Sequence, residues 1–378
     1  MIRVDWSGWQ DMKENGTDKS RIVGLDIYRI LAVLFIFLFH SNIHIQCSYG
    51  IFTPFINMGA IYMTAFFILS GYSLFLTWQK RDLHTISVIK KFYIKRLVGI
   101  LPLYYFVAIL YIALIGQETI IQNLVLAPVE ILGIQSDFST LFSVTHNSGT
   151  WFVSCILMCY LVYPMMQEII KQISLRARMV FIVIAGAILL YSPIVVSVFQ
   201  ISSIYSNPFF RILEFLIGVL LCSMMPNLKE RNYSRIVFSW WAILIEYVVL
   251  IVGVTLAVKL KISVGNYMLY SWVALPLFML LIVSMAGAKF PQWMHNSRVI
   301  RYLCEISYAF FFGQFFTWKT TMFIIGRIGI DTNVIRIVIS FLSCLFYTIL
   351  LHEFIEKPLS NMLKKKFYDT NQTCETTN

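Results

Sequence analysis

GLDIYRILAVLFIFLFHSN (Gly24–Asn42) decides the class of this chain. The stretch is apolar over nearly the roughly 20 residues that cross a hydrocarbon core about 30 Å thick. It follows a polar head, residues 1–21, and lacks the small-residue cleavage site of a signal peptide, so it stays in place as a membrane-spanning helix. Arg29 and His40 interrupt it eleven positions apart, which is three turns plus about 20°; they share one face about 16 Å apart along the axis. An ionisable side chain within a span costs at least a few kcal/mol, so each asks for a reason.

Outward from this helix the apolar runs recur, at about 55–78, 97–116, 150–167, 179–199, 208–225, 237–258, 267–286, 303–325 and 333–354. With 58% hydrophobic and 13% charged residues in 378, there is too little polar surface to cover a soluble globule. The runs are continuously apolar instead of alternating, which excludes a β-barrel. The expectation is an all-α polytopic bundle of about ten transmembrane helices, with a polar head (1–21), a transmembrane domain (22–358) and a basic, polar tail (359–378). Most of the 30 basic residues fall in the head, in the 79–96 segment, in alternate loops and in the tail, which places both termini in the cytoplasm. The net charge of +11 is therefore a topology signal, and no aromatic and basic patch supports nucleic-acid binding. Most of the seven cysteines lie in apolar spans, the six histidines are scattered, and neither a disulfide framework nor a metal site is expected. The outside segment at about 117–149 is too short for a separate catalytic domain, so any chemistry belongs to the membrane domain.

The intramembrane polar residues each allow two readings. His40 is either an interior histidine near the interface, with Arg29 snorkelling, or the pair lines a path across the membrane in which a neutral imidazole takes a proton from a hydroxyl. Arg211 and Glu214 in RILEFLIG, three residues apart, form an ion pair that fixes packing or part of a site. Glu353 and Glu356 in HEFIEKP mark a helix end before Pro358 or a site beside it. The basic segment with Arg96 in KRLVGILPLYY is either plain topology or a place for the pyrophosphate of a coenzyme A. Ser70 in FFILSGY has no histidine at triad spacing, and Trp151 in GTWFV is an aromatic-belt residue or a binding one.

Taken in order, these words resemble the acyltransferase 3 family of membrane O-acyltransferases, which decorate cell-envelope polysaccharides. The likeness runs from about Gly24 to Pro358: Asp26 in the GLD start, Arg29 and His40 with ten residues between, Phe66–Tyr72, Lys95–Tyr104, Gly149–Val153, Arg211–Gly218, Glu305–Phe311 and Glu356–Pro358. Two departures stand out. Gly99 replaces the arginine usual three residues after Arg96, and FFFGQFF puts Gln314 where a histidine commonly follows the ISY word, leaving His40 as the base.

The resemblance implies transfer of an acyl group, most often acetyl, from cytoplasmic acyl-CoA to a sugar hydroxyl on an envelope or exported polysaccharide or its lipid-linked precursor. It gives His40 the catalytic role and Arg29 and Arg96 the donor-binding one. Asp26, Ser70, Trp151, Arg211, Glu214 and Glu356 are further candidates. It implies acyl-CoA, acetyl-CoA in the common case, as co-substrate with no bound cofactor, and a multi-pass place in the cell membrane. The rival reading is a carrier or flippase for a lipid-linked sugar or small solute, which would show an internal repeat; none is seen.

Overall fold

The computed structural model describes residues 21–116, 119–136, 148–199, 205–231, 234–260 and 271–375, and among them there is helix and turn but no strand. The longer helices are α1 (Val23–Ile45), α2 (Tyr62–Trp78), α3 (Ile86–Leu114), α4 (Ile120–Leu132), α5 (Trp151–Gln172), α6 (Leu175–Phe199), α7 (Pro208–Lys229), α8 (Trp240–Lys259), α9 (Ser271–Gly287), α10 (Arg298–Glu305), α11 (Ser307–Ile328), α12 (Asn333–Leu350) and α13 (Lys357–Glu375). Their starts follow local chemistry: Asn207 caps α7 with Pro208 in its first turn, while Ser239 caps α8 and Thr332 caps α12.

Among the described residues eight helices are long and apolar enough to cross a membrane. α9 is described over only 17 residues, and Gln314, Lys319 and Arg327 dilute the apolar character of α11. This is the all-α, polytopic bundle the hydropathy pattern demands. Large apolar side chains such as Val183 on α6, Ile245 on α8 and Phe346 on α12 stay exposed on the outside of the bundle, where lipid is their solvent.

α2 is the centre. Nearly every residue from Tyr62 to Phe75 is buried, and its largest partner is α7. The two run in the same direction, Thr64 meeting Arg211 and Glu214 while Gly71 and Tyr72 meet Phe215, Gly218 and Val219. The approach is backbone to backbone: a β-carbon added at Gly71 would collide with the carbonyl oxygen of Phe215, and one at Gly218 with that of Ile68. Small residues at the seam allow this, and in lipid close packing of this kind is a main source of helix association. α1, α9 and α5 then pack around the pair.

Three segments depart from the sequence reading. Lys90 to Arg96 are not in a loop, because α3 begins at Ile86 and carries them on its first turns. Within 117–149, expected to be a plain outside segment, α4 is an apolar helix of 13 residues, closed at its start by a Thr119/Gln122 capping box; at about 1.5 Å per residue it is too short to span. Finally, Pro358 does not end the last helix. A π-helical turn at Leu351–Glu356 absorbs the missing N–H and the ring, and α13 continues to Glu375, so the tail from 359 is helical over its described part.

The α2/α7 seam gives a direct test. Gly71→Ala is expected to destabilise the detergent-solubilised protein by about 1–3 kcal/mol, whereas Gly186→Ala, whose β-carbon would meet open space, leaves the thermal melt unchanged.

Candidate functional site

The candidate residues fall into two groups at opposite ends of the bundle. The first lies where α1 starts and where α10 and α2 end. Asp26, in the first turn of α1, accepts the Arg21 guanidinium through Nε and the Cys304 thiol at 3.3 Å. Arg29, one turn on, is 3% exposed. Its only hydrogen bond among the described residues is a weak one from Nη1 to the Cys304 sulfur at 3.9 Å, and its Nε has no acceptor there. The carboxylate nearest to it in sequence, Asp26, is already engaged by Arg21.

Arg96 sits one face further round on α3, its guanidinium 5.7 Å from the Trp78 ring, 5.8 Å from Phe92 and 5.8 Å from Tyr160. Arg96 and Arg29 both lie within electrostatic reach of the Tyr160 hydroxyl. Lys95 is buried beside Arg96, with Lys364 of α13 close by. The structure thus brings the two expected donor arginines around one phenol and adds a buried lysine.

Glu356 belongs to this end too. It lies within electrostatic reach of Tyr308, as does Tyr160. Its Oε2 is 2.7 Å from Nδ1 of His352, both side chains being buried on the π-helical turn. Ser360, just beyond, donates to the Val98 carbonyl at 3.3 Å and holds α13 against α3. His352 had no assignment from the sequence; the signal was present as a histidine and a glutamate four apart on one helix face.

The other end holds His40. Its ring stacks on His44 at 5.6 Å, His44 stacks on Trp318 of α11 at 5.4 Å, and His40 lies 6.5 Å from Trp318. His40 is half-buried and makes no hydrogen bond to a described residue, which leaves its ring nitrogens available to a ligand. The same end of the bundle, joined to α1 through residues 46–61, carries Trp151, Arg211 and Glu214. Arg211 bonds both carboxylate oxygens of Glu214 through Nη1, at 2.9 and 2.7 Å, and the Tyr205 carbonyl through Nε at 2.7 Å. Thr64 donates to Glu214 at 2.8 Å. Around the guanidinium stand the rings of Tyr205, Trp151 and Phe67, at 4.7, 5.1 and 5.4 Å. Trp151 is therefore buried against a cation and is not an outward belt residue.

Ser70 joins neither group. Its hydroxyl donates back to the Phe66 carbonyl at 2.5 Å, the ordinary use of a serine inside a helix. Glu246 of α8 accepts from Ser284 of α9 at 2.8 Å. Asp82, His84 and Glu168 cluster on the surface with ligand atoms within 4.8 Å of one another. Within it Glu168 lies 2.8 Å from Nε2 of His84 and pairs with Lys171 at 3.1 Å.

A family described as an acyltransferase domain matches residues 22–353, which takes in every candidate residue named from the sequence except Glu356. The protein belongs to the acyltransferase 3 family. No curated protein and no solved structure matches the chain. It is a membrane acyltransferase, and its polar residues gather in two groups at opposite ends of the bundle.

In this acyltransferase the caged pair should behave as a buried unit. Arg211→Leu or Glu214→Leu alone leaves the other charge stranded and is expected to cost about 3–5 kcal/mol, while the double substitution costs clearly less than the sum. A double-mutant cycle on thermal melts in detergent measures the coupling.

Proposed function

We propose that this membrane acyltransferase takes an acyl group, acetyl in the simplest case, from acyl-CoA on the cytoplasmic side of the cell membrane. It passes the group to a sugar hydroxyl of an envelope or exported polysaccharide or its lipid-linked precursor. The observation that carries this reading is the meeting of Arg29, Arg96 and Lys95 in the interior at one end of the bundle, on or beside the helix whose same face bears His40 at the other. Like charges withdrawn from water repel and are poorly solvated, and a pyrophosphate offsets both costs with charge-assisted hydrogen bonds. Most of the chain's basic residues lie at this end, the cytoplasmic one by the positive-inside rule.

The chemistry then divides along α1. Arg29 and Arg96 hold the anionic part of the donor. The acyl carbonyl reaches toward the far end, about 16 Å along the helix, where His40 takes the proton of the acceptor hydroxyl as it attacks. Free of a carboxylate or arginine partner among the described residues, the imidazole is suited to accept a proton and then to return it to the leaving thiolate. Trp318 and His44 flank His40 with flat faces of the kind that pack against sugar rings.

Two outcomes are expected. Envelope polysaccharide from cells with the protein shows base-labile O-acyl signals in proton NMR, which disappear without it and fall at least ~100-fold with His40→Ala. In membrane vesicles supplied with acetyl-CoA, Arg29→Ala and Arg96→Ala raise the KM for acetyl-CoA by about tenfold or more, the loss of a charge-assisted hydrogen bond. Unchanged O-acylation with less surface glycan would instead mark an exporter.

A further inference from the structure

Gln314 is 2% exposed, and neither its Nε2 nor its Oε1 meets a partner among the described residues. A buried amide left with both ends unsatisfied costs about 1–3 kcal/mol per group, so the position needs a ligand or water to explain it. Its place on α11 says where such a ligand would sit. Phe310 and Trp318 are four residues to either side of it, on the same stripe of the helix. Both touch Phe37 of α1, with ring centroids 5.7 and 5.6 Å apart. Gln314 accordingly faces α1 at the level of Phe37. Lower on the same side, Cys304 meets Arg29; higher, Trp318 meets His40. One helical turn, about 6 Å, separates Gln314 from Trp318. The amide stands on the line between the donor arginines and the base, close to the base.

We infer that Gln314 is a catalytic residue whose Nε2–H group donates to the carbonyl oxygen of the acyl thioester during transfer. This rests on the acyl-transfer reading above. The acceptor oxygen attacks the thioester carbon as His40 removes its proton; the new C–O bond forms and negative charge gathers on the carbonyl oxygen, which the Gln314 amide meets. Collapse breaks the C–S bond, the coenzyme A thiolate leaves, and the imidazolium returns the proton to it. An amide suits the task because it donates without carrying charge, so it adds no desolvated ion to the middle of the membrane. Gly313, next to it, packs against Thr348 and Cys344 of α12 and fixes the rotation of α11 that turns Gln314 toward α1.

The test uses full-length protein in membrane vesicles, acetyl-CoA as donor, and the mild-base-deacylated polysaccharide of the same cells as acceptor. Gln314→Leu is expected to lower kcat about 10²- to 10³-fold, with the KM for acetyl-CoA changed less than about threefold and the thermal melt preserved. Gln314→Glu donates only when protonated, so its rate should rise as pH falls, where the wild type shows no such rise. A wild-type kcat in Gln314→Leu, or a loss confined to KM, would overturn the inference and leave Gln314 as an amide solvated by buried water. If Gln314→Leu fails to fold, a Gln314→Glu profile that parallels the wild type overturns it equally. Absence of transfer in the wild type would strike the acyl-transfer reading itself.

Discussion

Lipid offers no hydrogen bonds, and that single constraint orders the whole molecule. Every backbone group must be closed within its own segment, which leaves only helices. Every polar side chain kept inside must then find its partner within the bundle. Arg211 finds a carboxylate, a carbonyl and three aromatic faces; Asp26 finds Arg21 and a thiol; His352 finds Glu356. Other buried groups are left incomplete among the described residues: Arg29 has only a weak thiol contact, neither end of the Gln314 amide is met, and the hydroxyls of Tyr28, Tyr62 and Tyr247 have no partner there. Under the proposed function, Arg29 and Gln314 are completed by the bound donor.

The close α2/α7 contact is the mechanical counterpart of this arrangement. Two glycines let the backbones touch, and the contact holds Thr64 in register with Arg211 and Glu214. A site residue and a packing residue are thus one turn or two apart on the same helices. That explains why RILEFLIG and FFILSGY each mix polar and small residues. The words carry the seam and the cage together.

How much of this could be read from the chain alone differs by kind of feature. Hydropathy is a one-dimensional property, so the apolar runs and the all-helical fold were legible directly. The Arg29 and His40 stripe was legible as well, because both residues lie on one helix and helical geometry relates them without any tertiary knowledge. The departures occurred where local signals conflict with context. Basic residues from Lys90 to Arg96 look like a loop to a topology rule, yet helix formation carries them onto α3. Pro358 looks like a stop, yet a π turn accommodates it. Partners on distant segments were out of reach: no spacing relates Trp318 to His40, Cys304 to Arg29, or Trp151 to Arg211. Gln314 drew notice only because it stands where a histidine commonly follows the ISY word in the family; that its amide is buried and unmet is a property of the fold.

Because Arg29 and His40 ride on one unbroken helix, the distance between them is as fixed as the pitch of that helix. In the proposed transfer, α1 works as a ruler. A compact activated donor, with its anionic group only a few bonds from the acyl carbon, cannot be gripped at one mark and react at the other. A donor with a long, flexible, neutral arm between charge and thioester can span both. Under the proposed function the choice of donor follows from the length of three helical turns, and exchanging the residues around the arginines would weaken the grip without shortening the reach.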